Sequence, residues 1–202
     1  VSAIGLDRNC GDNLCALSTG ELVEGVTPFK DALRRLARLQ RSLSRKQKRS
    51  ANYRKAQAKV SRLHERIANI RSDLLHKLSL RLSKSHATVV VEDLQVKAMS
   101  ASASGTVEAP GKQVCQKSGL NRSILDRGWG ELVRQLRYKL DWRGGELVEV
   151  PADYTSQRCH HCGHTAKENR HRSAFKCVCC GHTDHADINA AKNILTAAGL
   201  AA

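Results

Sequence analysis

The sequence predicts an α/β protein that carries two additions, a long basic helical hairpin and a small cysteine-rich segment. Short apolar runs near the start and in the middle of the chain have the length and β-branched composition of strands. Between them, leucine, isoleucine and valine recur at spacings of three and four, which is the period of a helix. Two pairs of cysteines near the C-terminus have the spacing of metal ligands.

The composition of the chain narrows the range of possible functions. The chain has 202 residues and a formal net charge of +15. Charge at this density attracts polyanions, chiefly nucleic acid or anionic membrane. No apolar run approaches the roughly 20 residues needed to cross a bilayer, and the first residues lack the pattern of a signal peptide. We therefore expect an intracellular protein that binds nucleic acid and not membrane.

The chain should begin with an antiparallel meander of short strands. Residues 3–6 form an apolar run that ends at Asp7. Residues 14–17 and 21–23 flank a Ser-Thr-Gly turn, and each has the length of a strand.

Residues 31–85 should form a hairpin of two long helices. The apolar repeat stops around residues 47–52, where Lys46, Lys48 and Arg49 crowd together and predict the turn. The stretch holds half of the chain's 34 lysines and arginines, but only three acids. Because compensating acids are nearly absent, we interpret the charge as a face for phosphate contact; an ordinary solvated helix surface is the alternative.

The remaining predicted elements are a buried central strand, a mobile loop, an amphipathic helix, another strand and an alanine-rich helix, at residues 88–91, 99–117, 121–142, 146–150 and 188–200. The central strand is followed by Glu92 and Asp93. Asp187 stands at the N-cap position of the last helix.

The cysteine pattern C-x2-C-x14-C-x2-C predicts a structural zinc site. Its ligands are Cys159, Cys162, Cys177 and Cys180, with Gly163 and Gly181 permitting the turn after each pair. Four thiolates close the coordination sphere, so such a metal holds no water for chemistry and stabilises a segment too small to fold alone.

Other candidate ligands surround this pattern. Four histidines crowd it and are an alternative to one of the cysteines: His160, His161, His164 and His182. Four further cysteines, Cys10, Cys15, Cys115 and Cys179, are interpreted as ordinary reduced thiols.

Three acids stand where a ribonuclease-H-like fold collects its metal-binding carboxylates. Asp7 follows a first strand, Glu92 follows a buried strand and Asp187 opens the last helix. Each acid also has an ordinary explanation, as a turn residue, a strand-end charge and a helix cap respectively. Asp12, Asp93 and Asp184 are almost equally well placed, so position alone is weak support.

Several sequence motifs are more specific than the positions of these acids. "IGLDRN", "VVVEDL", "GLNRSILDRGWGELVRQLRYKLDWRGG", "TSQRCHHCGH" and "FKCVCCGHTDHADINAAKNIL" together resemble the TnpB proteins. These OrfB-type, RNA-guided nucleases are encoded by insertion sequences and related to type V CRISPR effectors. The resemblance extends over nearly the whole chain, except that the N-terminal wedge and recognition region of the family has no counterpart before Val1. We therefore expect a truncated gene product or an alternative start at Val1.

The resemblance implies an α/β, ribonuclease-H-like (RuvC) mixed sheet, interrupted by the basic helical hairpin and a zinc ribbon. It implies a cytoplasmic, nucleoid-associated DNA endonuclease that cuts by two-metal hydrolysis and uses a guide RNA in its full-length relatives. Asp7, Glu92 and Asp187 would be the catalytic acids that hold Mg²⁺, beside the structural Zn²⁺ of the four cysteines. A non-cutting remnant that still binds DNA or RNA is the main alternative, and a zinc ribbon of ribosomal or transcriptional type is another.

The same resemblance predicts a division of the chain. Residues 1–30, 87–150 and 184–202 would form the RuvC-like core, with a mobile loop at 98–120. Residues 31–86 would be the helical insertion, and residues 151–183 the zinc ribbon.

Overall fold

The computed structural model describes residues 2–151 and 153–200. Its main sheet consists of β1 (Ala3–Arg8), β2 (Asn13–Leu17), β3 (Leu22–Glu24), β4 (Thr88–Glu92) and β5 (Glu146–Val150). The strand order is β3-β2-β1-β4-β5. Strand β2 is antiparallel to both of its neighbours, whereas β1, β4 and β5 are mutually parallel. The predicted α/β class with a mixed sheet is confirmed.

The helices are α1 (Pro28–Ser44), α2 (Ala51–Ser85), α3 (Val96–Met99), α4 (Val114–Arg127), α5 (Trp129–Asp141) and α6 (Ala186–Ala197). A smaller sheet holds β6 (Arg170–His171), β7 (Ala174–Lys176) and β8 (Thr183–His185). No helix in the described part of the chain has the length and apolar character to cross a membrane.

The main sheet lies between two helical layers. In β4, Val89 and Val91 join a core with α2 and α5, whereas Val90 packs with Ile194 and Leu195 of α6. Successive side chains of a strand point to opposite faces, so every second residue of β1 and β4 faces α6.

Gly5 in β1 marks the closest approach of α6 to the sheet. A Cβ atom at this position would lie 2.1 Å from the backbone oxygen of Ala191 and 3.0 Å from the Cβ of Leu195. Only a residue without a side chain permits this approach, which holds α6 directly against β1.

Helices α1 and α2 form the predicted hairpin. They pack on each other through Leu36, Leu63 and Ile67, while most of their lysines and arginines stay exposed. The turn falls between residues 45 and 50, close to the predicted break, and Ser50 caps α2 by accepting a hydrogen bond from the backbone N–H of Tyr53. Helix α1 begins earlier than predicted, at Pro28, because proline suits the first helical position.

The single helix predicted at residues 121–142 is wrong. Gly128 adopts a left-handed conformation with φ of 68° and separates α4 from α5. The apolar pattern continues across this break because Ile124 and Trp129 enter the same core. Helix α4 begins at Val114, so the irregular segment is shorter than the loop predicted at residues 98–120.

Candidate active site

The parallel pairing of β1 and β4 brings two of the predicted acids to one edge of the sheet. Leu6 pairs in register with Val91, so Asp7 and Glu92 are the next positions along the two strands. Both belong to their strands and do not follow them as predicted. By alternation with Gly5 and Val90, both occupy the positions that face α6.

Asp187 approaches this edge from α6. It lies in the first turn of the helix and is not the N-cap, which corrects the prediction. His185 takes that position, and its ring Nδ1 accepts a hydrogen bond from the Asp187 backbone N–H at 3.3 Å. The Asp187 carboxylate is therefore free of capping, and it accepts hydrogen bonds from Asn9 Nδ2 at 2.5 Å and Arg170 Nη2 at 2.9 Å.

The three carboxylates interact electrostatically. Burial raises the pKa of Asp7 well above its usual range, and the negative charges of Glu92 and Asp187 raise it further. Burial also raises the pKa of Glu92, against the opposing effects of a hydrogen bond from Thr155 and the charge of Arg8. The Thr155 hydroxyl donates to Glu92 Oε1 at 2.5 Å, and Arg8 donates to the Glu92 backbone oxygen.

The ligand type at this edge suits a hard divalent cation. Converging, partly desolvated carboxylates repel one another, and oxygen ligands are those that Mg²⁺ prefers. In the described ranges, no side chain donates a hydrogen bond to the Asp7 carboxylate, although its environment disfavours the charged form. The three acids do not form a cluster with all ligand oxygens within 4.8 Å, since among described residues only four cysteines meet that limit. The Asp187 carboxylate forms an ion pair with Arg170 at 2.9 Å.

Two of the alternative acids have other partners and the third is exposed. Asp184 forms an ion pair with Lys192 at 2.7 Å, Asp93 accepts a hydrogen bond from Gln95, and Asp12 is exposed in the turn between β1 and β2.

The four predicted zinc ligands do come together. Their Sγ atoms all lie within 4.8 Å of one another, with Cys159 to Cys180 at 3.8 Å and Cys162 to Cys177 at 3.6 Å. Tetrahedral zinc with Zn–S bonds of about 2.3 Å requires S···S separations of about 3.8 Å, so the residues fit this metal.

The two C-x2-C turns, which we call the first knuckle (residues 159–164) and the second knuckle (residues 177–182), share one geometry. The backbone N–H of Cys159 donates to the oxygen of His164, and that of Cys177 donates to the oxygen of His182. Gly163 and Gly181 follow with φ of 77° and 75°, as the predicted turns require.

The four thiols differ in acidity. Burial raises the pKa of Cys159. A backbone hydrogen bond from His182 lowers the pKa of Cys180, but burial and hydrogen bonds to the other cysteines raise it to about 12. A backbone hydrogen bond from Cys180 lowers the pKa of Cys177 to about 6, which favours the thiolate that zinc binds. Cys179 and the nearby histidines lie outside the four-cysteine cluster.

Two asparagines of α6 fix the first knuckle to the helix that carries Asp187. Asn189 donates to the backbone oxygen of Arg158 at 2.8 Å and accepts from the N–H of His160 at 3.0 Å. Asn193, one turn later, donates to the backbone oxygens of Thr155 and Arg158. The ribbon and the candidate active site therefore share one helix.

Sequence reasoning missed three side chains that contact the acids: Asn9, Thr155 and Arg170. Asn9 stands within the quoted "IGLDRN", directly after Asp7 and Arg8, so its position was visible although its partner was not. Thr155 opens the quoted "TSQRCHHCGH", so its position was visible as well. Arg170 lies in the predicted ribbon but in none of the quoted motifs, and no local pattern distinguishes it from neighbouring polar residues.

Comparisons with known proteins agree with this architecture. The OrfB IS605 family model, described as a probable transposase, matches residues 1–103, and a model described as Cas12f1-like, TNB domain, matches residues 129–194. The fold resembles that in a cryo-EM structure of a Cas12f1-sgRNA-target DNA complex, with a TM-score of 0.59 at 20% identity. That alignment covers 95% of this chain and 48% of the solved chain.

The relatives are longer than this chain. A protein of Escherichia coli K12 with the name "Putative RNA-guided DNA endonuclease InsQ" is 56% identical over 198 residues, which are 98% of this chain and 49% of that protein. The CRISPR-associated endodeoxyribonuclease Cas12f1 of Sulfoacidibacillus thermotolerans is 29% identical over 67% of this chain and 29% of its own length. The chain thus spans about half the length of InsQ. Since the first family model matches half of the sequence, the chain belongs to the OrfB IS605 family of TnpB-like probable transposases.

Proposed function

We propose that this chain is the nuclease portion of a transposon-associated, RNA-guided DNA endonuclease, with Asp7, Glu92 and Asp187 as its catalytic, Mg²⁺-binding acids. The observation that carries the proposal is the placement of these carboxylates at one edge of the sheet, at the carboxyl ends of β1 and β4 and in the first turn of α6, where Glu92 and Asp187 raise the pKa of Asp7. DNA is the proposed substrate and a guide RNA the proposed partner, as the names of the relatives suggest. We also propose that the protein acts in the cytoplasm, at the nucleoid. The division of the chain into core, hairpin and ribbon is part of the same proposal.

Glu92 and Asp187 each have their own hydrogen-bonding partners. Thr155 orients Glu92 through its hydroxyl, and Asn9 and Arg170 orient Asp187 through separate oxygens of its carboxylate. Asp7 accepts no side-chain hydrogen bond from the described residues. Divalent ions bound here would activate a water and stabilise the leaving oxygen of a phosphodiester.

The four cysteines would hold a structural zinc ion. It would keep the ribbon folded, and through Asn189 and Asn193 the ribbon would keep α6 in place. In this proposal the thiolates take no part in the cutting reaction.

The test is cleavage of labelled single-stranded DNA by the purified chain in Mg²⁺. Asp7→Asn should lower the cleavage rate by more than about a hundredfold, because a neutral amide cannot replace a carboxylate ligand. Asp141→Asn is the matched control, since Asp141 is an exposed acid at the end of α5 and should leave the rate unchanged. Equal rates for wild type and Asp7→Asn would remove Asp7 from the proposed site.

A second candidate function is nucleic-acid binding without cleavage, which the exposed basic hairpin of α1 and α2 favours. Salt-dependent binding of DNA or RNA with no cutting in Mg²⁺ or Mn²⁺ would support this function and contradict the first.

A further inference from the structure

A cavity of about 670 Å³ opens beside the loop that follows Asp7, and we propose that it binds an unpaired nucleotide of the DNA strand next to the bond that is cut. We call it the α1–α4 cavity. The lining residues that matter here are Cys10, Phe29, Lys30, Gly119, Arg122 and Arg127. Its volume lies within the range of about 300–1,000 Å³ typical of ligand pockets. The inference rests on the proposed nuclease function, because it assigns the occupant to the substrate strand.

The cavity lies at the same end of the sheet as the acids. Cys10 in its wall is three residues after Asp7, so the chain between them spans at most about 11 Å. Asn9 lies between these two residues and donates to Asp187. A strand whose phosphate lies at the carboxylates can therefore reach the cavity within a few nucleotides.

One face of α4 forms a wall of the cavity. Gly119, Arg122, Ser123 and Asp126 stand at i, i+3, i+4 and i+7, which places them on a single side of the helix. Gly119 leaves open space there, since a Cβ at this position would meet no atom within 4 Å. The missing side chain on this face is what makes room for an occupant.

The opposite wall is the start of α1, where Phe29 and Leu33 are partly buried and Lys30 is exposed. Phe29 also packs against the apolar core of the hairpin. An aromatic ring offers a stacking surface for any base, and lysine or arginine at the rim offers contacts to phosphate. Arg122 lies on the α4 side, where its Nε donates to the backbone oxygen of Ser118. This pairing of an aromatic surface with flanking cations is suited to single-stranded nucleic acid.

The charged side chains at the floor of the cavity, Asp126 and Arg127, already have partners within the protein. Asp126 accepts hydrogen bonds from the backbone N–H groups of Phe29 and Lys30, each at 3.1 Å, and pairs with Arg71 at 3.5 Å. Arg127 donates to the backbone oxygens of Gly11 and Val26. The buried acid, Asp126, already has partners. Among the other charged lining residues the cations Lys30 and Arg122 outnumber the one acid, Asp12, so the cavity attracts an anion.

The first test fills the cavity. Gly119→Met should lower the affinity for a fluorescent oligothymidine by roughly tenfold, because the side chain occupies the space of a stacked base. Gly130→Met is the matched control: Gly130 is also helical, and a Cβ added there would also meet no atom within 4 Å, but this residue does not line the cavity. Replacing glycine within a helix favours folding, so both variants should remain folded. Equal affinities of the two variants would overturn the proposal.

The second test uses Cys10 as a reporter. With oligothymidine at about ten times its Kd, alkylation of Cys10 should slow roughly tenfold, while exposed Cys115 should react at its unchanged rate, as resolved by mass spectrometry. DNA that binds without protecting Cys10 would overturn the assignment, and so would protection by oligouridine RNA but not by DNA.

Both measurements are made without added Mg²⁺. They therefore read binding at the cavity whether or not the chain cuts, and a failure of the nuclease proposal in Mg²⁺ remains a separate result.

Discussion

Replacing Gly5 with alanine would place a methyl group where α6 already lies. The new Cβ would be 2.1 Å from the backbone oxygen of Ala191, whereas real Cβ contacts essentially never fall below 3.0 Å. The neighbour is backbone and cannot rotate away, so α6 must move from β1 by about 1 Å. Overpacking of this kind costs about 1–3 kcal/mol of the free energy of unfolding.

The same movement would reach the candidate active site. Gly5 stands two residues before Asp7 on the same face of β1, and Ala191 lies one turn after Asp187 in α6. A displacement of about 1 Å between reacting groups can cost about a hundredfold in rate. We therefore expect Gly5→Ala to fold with reduced stability and to cut DNA about a hundred times more slowly than wild type.

Denaturant unfolding measures the first effect, and single-turnover cleavage of labelled DNA in Mg²⁺ measures the second. Gly130→Ala is the control, because its Cβ would meet nothing within 4 Å, and it should leave the cleavage rate unchanged. A folded Gly5→Ala protein that cuts at the wild-type rate would refute the link between the α6 contact and the placement of the acids.

Two further predictions concern the ribbon and Glu92. Cys177→Ser should lose zinc and cleavage together, measured by metal analysis and DNA cutting, whereas Cys115→Ser should keep both; a Cys177→Ser protein without zinc that cuts normally would contradict the scaffold role. Thr155→Val removes the hydrogen bond that lowers the pKa of Glu92, so this pKa should rise and the carboxylate should become protonated at higher pH. The acidic limb of the pH–rate profile should then move to higher pH, while Thr155→Ser, which keeps the donor, should retain the wild-type limb; an unmoved limb in Thr155→Val would show that Glu92 does not control it.

The zinc cluster was predictable because its determinants are local. Each C-x2-C pair with its following glycine makes a complete turn, and the repeat of this unit specifies four ligands without reference to the rest of the chain. The strands β1 and β4 and the two helices of the hairpin were visible for a similar reason, since their apolar periods are properties of consecutive residues.

The supports of the acids were not predictable because they act over long separations. Asn9 contacts Asp187, and Thr155 contacts Glu92, only after the sheet and α6 have assembled. Because aspartate is a common cap, the sequence predicts Asp187 as the N-cap of α6, but the ring nitrogen of His185 serves that role. The break at Gly128 was missed because the apolar pattern on both sides belongs to one core.

The order of the carboxylates along the chain has a consequence for synthesis. Asp7 and Glu92 can come together once β1 and β4 have paired, but the third acid is on α6, which is made after every strand of the main sheet. A nascent chain that has folded its sheet still lacks the complete cluster. If the acids act as proposed, the growing polypeptide remains unable to cut nearby DNA until α6 has been translated and has docked against Gly5.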